Sequence, residues 1–63
     1  MKAVRYVYWQ DGGMWLGYLE EFPDYVTQGD SFYDLKAHLR DLYLDLTSGA
    51  IPSVRKTAVL DVA

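Results

Sequence analysis

Hydrophobic residues occupy almost every position in two early segments of the chain and recur at every third or fourth position in a later one. Residues Lys2 to Gln10 and Met14 to Glu21 are rich in β-branched and aromatic side chains, as strands are. Between them, Asp11-Gly12-Gly13 readily supplies the positive φ of a tight turn. The pattern therefore predicts a β-hairpin at the start of the chain.

The residues after the hairpin predict a turn and a short third strand. Pro23-Asp24 is a typical turn pair, and Tyr25 to Gln28 has the composition of a strand. Gly29 comes next, and we expect it to end the strand at a positive φ that a bulkier residue would resist.

One amphipathic helix is predicted next. Ser31 is a favourable N-cap, and Asp34 occupies the capping-box position three residues later. Gly49 stands where a C′ glycine belongs, and Pro52 prevents the helix from continuing. The apolar positions recur at three- and four-residue steps and form one core-facing stripe: Phe32, Leu35, Leu39, Leu42 and Leu46, with Tyr43 beside them.

Val54 to Val62 predicts a last strand, with Val59, Leu60 and Val62 as its apolar residues. The predicted order is β-β-β-α-β. We therefore expect a single α+β domain over residues 1–63, with one helix packed on a mainly antiparallel sheet.

Both faces of the predicted sheet are apolar. The alternating sets are Val4, Tyr6 and Tyr8 against Ala3, Val7 and Trp9 in the first strand, and Met14, Leu16 and Tyr18 against Trp15 and Leu19 in the second. A sheet with one hydrated face should alternate between apolar and polar residues, and one helix can cover only one face. We expect a partner or a second copy on the other face, although the sequence leaves open which face that is.

The composition of the chain also indicates that it associates with a partner or with a second copy. The chain has 63 residues, no cysteine and only one histidine, His38, so neither a disulfide nor a structural zinc site is expected to support its small core. No cofactor is expected. The remaining means of stabilisation are self-association, as a homodimer or larger, or a bound partner. The net charge of −3, with six scattered Lys and Arg residues, disfavours nucleic-acid binding and favours a basic protein partner.

The sequence has no apolar run of bilayer-spanning length and no signal-peptide pattern at its start. We interpret it as a cytoplasmic protein that does not enter the membrane.

The stretches "WLGYLEEFPDY" and "VTQGDSFYDLKAHLRDLYLDL" resemble the HicB-like antitoxin family, over essentially the whole chain. The motif is a turn with proline, a short strand ending in Thr-Gln-Gly-Asp, and a helix that opens on serine: Pro23, Thr27, Gln28, Gly29, Asp30 and Ser31. Asp24 and Tyr25 depart from the family pattern, in which glycine and a small residue are common. The resemblance implies a partial RNase H-like fold.

The resemblance also implies a function. HicB-like antitoxins bind HicA-like toxins, which are small basic ribonucleases with one catalytic histidine, and block their access to RNA. Many members carry an additional C-terminal DNA-binding segment. The sequence ends at Ala63, so we expect no direct DNA binding from it.

The titratable residues do not predict an active site. Glu20, Glu21 and Asp24 are the carboxylates that a nuclease reading would use, but adjacent strand residues point to opposite faces and cannot readily share a metal ion with Asp24. His38, which lies at the edge of the apolar stripe, has no obvious catalytic partner and is interpreted as structural. Gly12-Gly13 precedes no helix and is not a phosphate loop.

Two surfaces are candidates for partner contact. Trp9, Trp15 and Tyr18 are of residue types that dominate interface hot spots. On the helix, Asp34, Asp41 and Asp45 form an acidic stripe, while Tyr33, Ala37 and Leu44 form an apolar flank. The alternative is that the helix surface is simply solvated.

The sequence therefore predicts a non-enzymatic antitoxin that masks a ribonuclease. The alternative is a stand-alone homo-oligomeric adaptor of the same fold. A residual nuclease or nucleic-acid binder is a third hypothesis, which charge and carboxylate spacing disfavour.

Overall fold

The computed structural model describes residues 3–49, 51 and 54–62. A three-stranded antiparallel sheet, with strands β1 (Tyr6–Asp11), β2 (Met14–Leu19) and β3 (Thr27–Gly29), is followed by the helix α1 (Phe32–Thr47). The strands lie in the order β1-β2-β3, so β2 is central. The predicted α+β class, with one helix on an antiparallel sheet, is confirmed. The helix backbone packs over β2 and β3, while β1 meets the helix through side chains, as in the Tyr8–Phe32 ring contact at 4.9 Å.

The predicted hairpin is confirmed, with shorter strands. Its register pairs Tyr6 with Leu19 and Asp11 with Met14, which leaves a two-residue turn in which Gly12 has φ 62°. Beyond the strand ends the Glu20 amide still donates to the carbonyl of Arg5 at 3.0 Å. A turn follows at once, because the Phe22 amide donates to the carbonyl of Leu19 at 2.9 Å, and this ends β2 earlier than predicted.

The third strand begins at Thr27 rather than Tyr25, because the Tyr25 amide is used in a turn onto the carbonyl of Phe22 at 3.1 Å. The prediction of a positive φ at Gly29 is wrong. Gly29 belongs to β3, and the positive-φ glycines among the described residues are Gly12 and Gly49. What requires glycine at position 29 is the closeness of the helix.

Both predicted helix ends are confirmed. The Ser31 hydroxyl accepts a hydrogen bond from the Asp34 amide at 3.0 Å, and Gly49 follows the C-cap residue Ser48 with φ 83°, a conformation that favours glycine. The capping box is modified, because the Asp34 carboxylate accepts from the amide of Asp30, not from that of Ser31. Pro52 lies outside the described residues.

The core lies between α1 and the sheet. Its buried residues are Leu19, Leu35, Leu39 and Leu46. Leu35 is fully buried, so the predicted helix stripe does face the core. Half-buried side chains complete the packing: Val4, Tyr6, Trp15, Phe22, Tyr25, Leu42, Tyr43, Ile51 and Val54.

The predicted last strand is wrong, because residues 54–62 form no strand. Their first part is held at the end of the sheet by side chains: Arg55 contacts Asp24 at 2.6 Å, and the Thr57 hydroxyl donates to the carbonyl of Glu21 at 3.4 Å. These contacts are made by side chains, and the segment joins no strand ladder among the described residues. Val59, Leu60 and Val62 are each at least 82% exposed.

Candidate protein-interaction surfaces

The sheet has one face that α1 does not cover. We call it the open face and define it by the side chains of Val7, Trp9, Met14, Leu16 and Tyr18. The register places Val7 opposite Tyr18 and Trp9 opposite Leu16, so these side chains adjoin in pairs. The Trp9 and Tyr18 rings meet edge to face, with centroids 6.0 Å apart. Val7 and Trp9 are 37% and 40% exposed, which makes this face an apolar surface in contact with solvent.

Trp15 lies on the opposite, helix-covered face. Its ring is 5.2 Å from that of Phe32 and 6.2 Å from that of Tyr8, and Tyr8 in turn is 4.9 Å from Phe32. The three aromatic residues predicted for partner contact are therefore split. Trp9 and Tyr18 come together on the open face, while Trp15 packs beside the core.

The apolar flank of the helix does not form a continuous patch. Tyr33 and Leu44 are 81% and 57% exposed, but they lie near opposite ends of α1. They are eleven helix positions apart, which corresponds to about 16 Å along the axis. Each is an isolated exposed side chain, which is common on protein surfaces.

The acidic stripe is divided by its contacts. Asp34 stabilises the start of the helix, because its carboxylate accepts a hydrogen bond from the Asp30 amide at 3.0 Å. The same carboxylate lies 3.5 Å from Nε2 of His38. Asp41 and Asp45 instead line a depression between α1 and β3, together with Thr27, Gln28, His38 and Leu42. Two carboxylates are thus presented beside the outer edge of β3.

The Thr27–Ser31 motif connects β3 to α1. Nδ1 of His38 donates to the Gln28 carbonyl at 2.6 Å, which ties the middle of the helix to the outer edge of the strand. At Gly29, a Cβ atom would lie 2.5 Å from the amide nitrogen of Leu35, so the helix backbone rests directly on this residue. These contacts give the motif and His38 a structural role.

Two of the three carboxylates considered for a nuclease are engaged in ion pairs at the surface. Glu20 lies 3.2 Å from Arg5, and Asp24 lies 2.6 Å from Arg55. Asp24 accepts a hydrogen bond from the Arg55 guanidinium, and this bond raises the pKa of Arg55 above its ordinary value. In the part of the chain that the structure describes, no group of three His, Cys, Asp or Glu side chains is placed to hold a metal ion.

Val7 and Leu16 were not predicted as neighbours of the Trp9–Tyr18 pair. The signal was present in the turn, because a two-residue loop at Gly12-Gly13 fixes Trp9 opposite Leu16 and Val7 opposite Tyr18. What the sequence did not contain was the side of the sheet on which the helix packs.

The described ranges contain no helix with the length and hydrophobicity needed to cross a bilayer. No protein-family model, curated protein or solved structure matches the chain.

Proposed function

We propose that this protein is the antitoxin of a type II toxin–antitoxin system and neutralises a HicA-like, mRNA-cleaving ribonuclease by binding it directly. The protein acts in the cytoplasm, where the toxin would meet its RNA. It works by masking, without catalysis or a cofactor. The finer fold assignment, a partial RNase H-like domain, belongs to the same proposal, and both draw on the resemblance of the motif from Pro23 to Ser31 to HicB-like antitoxins.

The observation that carries the binding role is the open face. Trp9 and Tyr18 adjoin there and are flanked by Val7 and Leu16, on a sheet that the helix stabilises from behind. Aromatic residues in such clusters provide large contact areas at low entropic cost and are enriched among interface hot spots. A rigid sheet loses little freedom on docking, which favours tight binding.

Charge supports a basic partner. The net charge is −3, and Asp41 and Asp45 lie beside the outer edge of β3. Carboxylates placed around a contact area accelerate association with a cationic protein more than they strengthen the final complex. On this proposal the open face provides most of the binding affinity for the toxin, and the acidic helix surface accelerates association with it.

The test is co-expression with the product of the adjacent gene, which on this proposal encodes a small basic ribonuclease. We expect the two proteins to co-purify in a fixed stoichiometry and RNA cleavage by the purified toxin to stop when the complex forms. Failure of the two proteins to associate, or undiminished cleavage in the complex, would refute the proposal.

Variants then locate the contact. Trp9→Ala and Tyr18→Ala should each weaken the complex by about tenfold or more, because truncated hot-spot residues cost more than about 1 kcal/mol. Tyr33→Ala is the matched control, since it removes an aromatic side chain that is more exposed but isolated. Asp41→Lys with Asp45→Lys should slow association of the two proteins and reduce the dependence of the association rate on salt. If only Tyr33→Ala lost toxin binding, the toxin would contact the helix and not the sheet.

The second candidate is a stand-alone homo-oligomeric adaptor. It is favoured by the outer edge of β1, which has no neighbouring strand among the described residues. Under this alternative the chain self-associates but forms no complex with a HicA-like ribonuclease.

A further inference from the structure

The outer edge of β1 is a strand edge without a partner among the described residues. The sheet order places β1 at one side, and α1 packs over the other two strands. β1 is also largely exposed along its length, from Val7 to Asp11. An edge of this kind, six residues long and carrying apolar side chains, is a template for pairing with another strand.

The backbone groups that point outward can be identified from the ladder. The Glu20 amide donates to the Arg5 carbonyl, so the odd-numbered residues of β1 bond inward to β2. Tyr6, Tyr8 and Gln10 alternate with them and direct their amide and carbonyl groups away from the sheet. An incoming strand would therefore bond to these three residues.

We infer that the partner of this edge is the same edge of a second copy, paired antiparallel about Tyr8. In this register, residue i lies opposite residue 16 − i of the second copy. Tyr8 then faces its own counterpart, and Tyr6 and Gln10 exchange hydrogen bonds across the two-fold axis. The odd-numbered residues form the closely spaced pairs in which side chains contact directly.

Charge complementarity selects this register. It places Arg5 opposite Asp11 of the second copy, twice by symmetry, and Val7 opposite Trp9, also twice. Arg5 and Asp11 are both exposed, and the existing Arg5–Glu20 pair joins side chains that are 84% and 53% exposed. Such a surface pair is weak and can be exchanged or shared at little cost. A shift of two residues would lose both opposite-charge pairs.

The resulting dimer has a continuous six-stranded sheet with both helices on one side. Its opposite side joins the two open faces, so that each Val7–Trp9 contact bridges the copies. The dimer involves only copies of this chain, so this inference does not depend on the proposed binding of a toxin.

The test is analytical ultracentrifugation of the purified chain over a concentration series. We expect a monomer–dimer equilibrium. Arg5→Asp and Asp11→Arg should each weaken it by about tenfold or more, because each replaces two opposite-charge pairs with two like-charge pairs. Mixing the two variants should restore the dimer, since both pairs in the heterodimer again join an aspartate to an arginine. Glu20→Gln, which removes only the intramolecular partner of Arg5, should leave the dimer intact.

Proline variants test the edge itself. Gln10→Pro removes an outward amide of β1 and should abolish dimerisation, while Gln28→Pro is the matched change on the outer edge of β3 and should not. Circular dichroism verifies that both variants are folded. A monomer at every concentration would overturn the inference. So would a dimer that survives Gln10→Pro and both charge reversals, because the contact would then lie elsewhere. Burial of the β1 edge by residues 58–62 of the chain, seen as amide protection in a monomer, would overturn it as well.

Discussion

Gly29 and Leu35 are in backbone contact, and this contact sets the distance between the helix and the sheet. A Cβ atom on residue 29 would lie 2.5 Å from the Leu35 amide nitrogen and 2.9 Å from its Cα atom. Both atoms belong to the helix backbone and cannot rotate away. Leu35 is also the fully buried residue of the core, so any displacement of α1 would loosen the packing of the whole domain.

Gly29→Ala is therefore expected to destabilise the protein by about 1–3 kcal/mol, the range observed for overpacked sites. Chemical denaturation measures the loss. Gly13→Ala is the matched control, because a Cβ there meets no atom within 4 Å and its φ is not positive. That variant should change stability by less than about 0.5 kcal/mol. Equal stability of the two variants would mean that the close approach at Gly29 is unimportant.

The N-cap at Ser31 gives a second prediction. Its hydroxyl accepts the Asp34 amide at 3.0 Å, which would otherwise lack a partner at the start of the helix. Ser31→Ala should lower the free energy of unfolding by about 1 kcal/mol, whereas Ser31→Thr keeps the acceptor and should lose less. Thermal unfolding followed by circular dichroism can separate them. If the alanine variant matched the wild type, the cap would contribute nothing.

His38 provides the third prediction. Nδ1 donates to the Gln28 carbonyl at 2.6 Å and so links α1 to the outer edge of β3. His38→Ala should cost about 0.5–1.5 kcal/mol, the net value of a typical hydrogen bond. Amide exchange at residues 27–29 should accelerate as the edge loosens. Arg40→Ala, two residues away on an exposed position, is the control and should leave exchange at β3 unchanged.

Local signals predicted those parts of the structure that depend on local physics. The hairpin, Ser31 and Gly49 follow from turn and capping preferences that act over a few residues. Gly29 was interpreted through φ because a sequence shows conformational preference but not the approach of a distant backbone. Residues 54–62 have the composition of a strand, but a strand also needs a neighbour, and the contacts of Arg55 and Thr57 direct this segment elsewhere.

The candidate site was predictable only in part, for a related reason. The sequence indicated that one apolar face would remain uncovered, and it named Trp9, Trp15 and Tyr18. It did not determine on which side α1 packs, because both faces of the hairpin are apolar. The helix packs against the side of Tyr6, Trp15 and Leu19, where Gly17 leaves room for the side chain of Leu35.

The two tryptophans test this choice of face directly. Trp15 is half-buried against Tyr8 and Phe32, so Trp15→Ala should cost about 2 kcal/mol, somewhat less than truncation of a fully buried tryptophan. Trp9 is 40% exposed and contacts mainly Tyr18, so Trp9→Ala should cost less than about 1 kcal/mol. Urea denaturation of dilute samples measures both, with Trp→Phe variants as conservative controls. The reverse order would place the helix on the side of Trp9, and the open face proposed for toxin binding would then not exist.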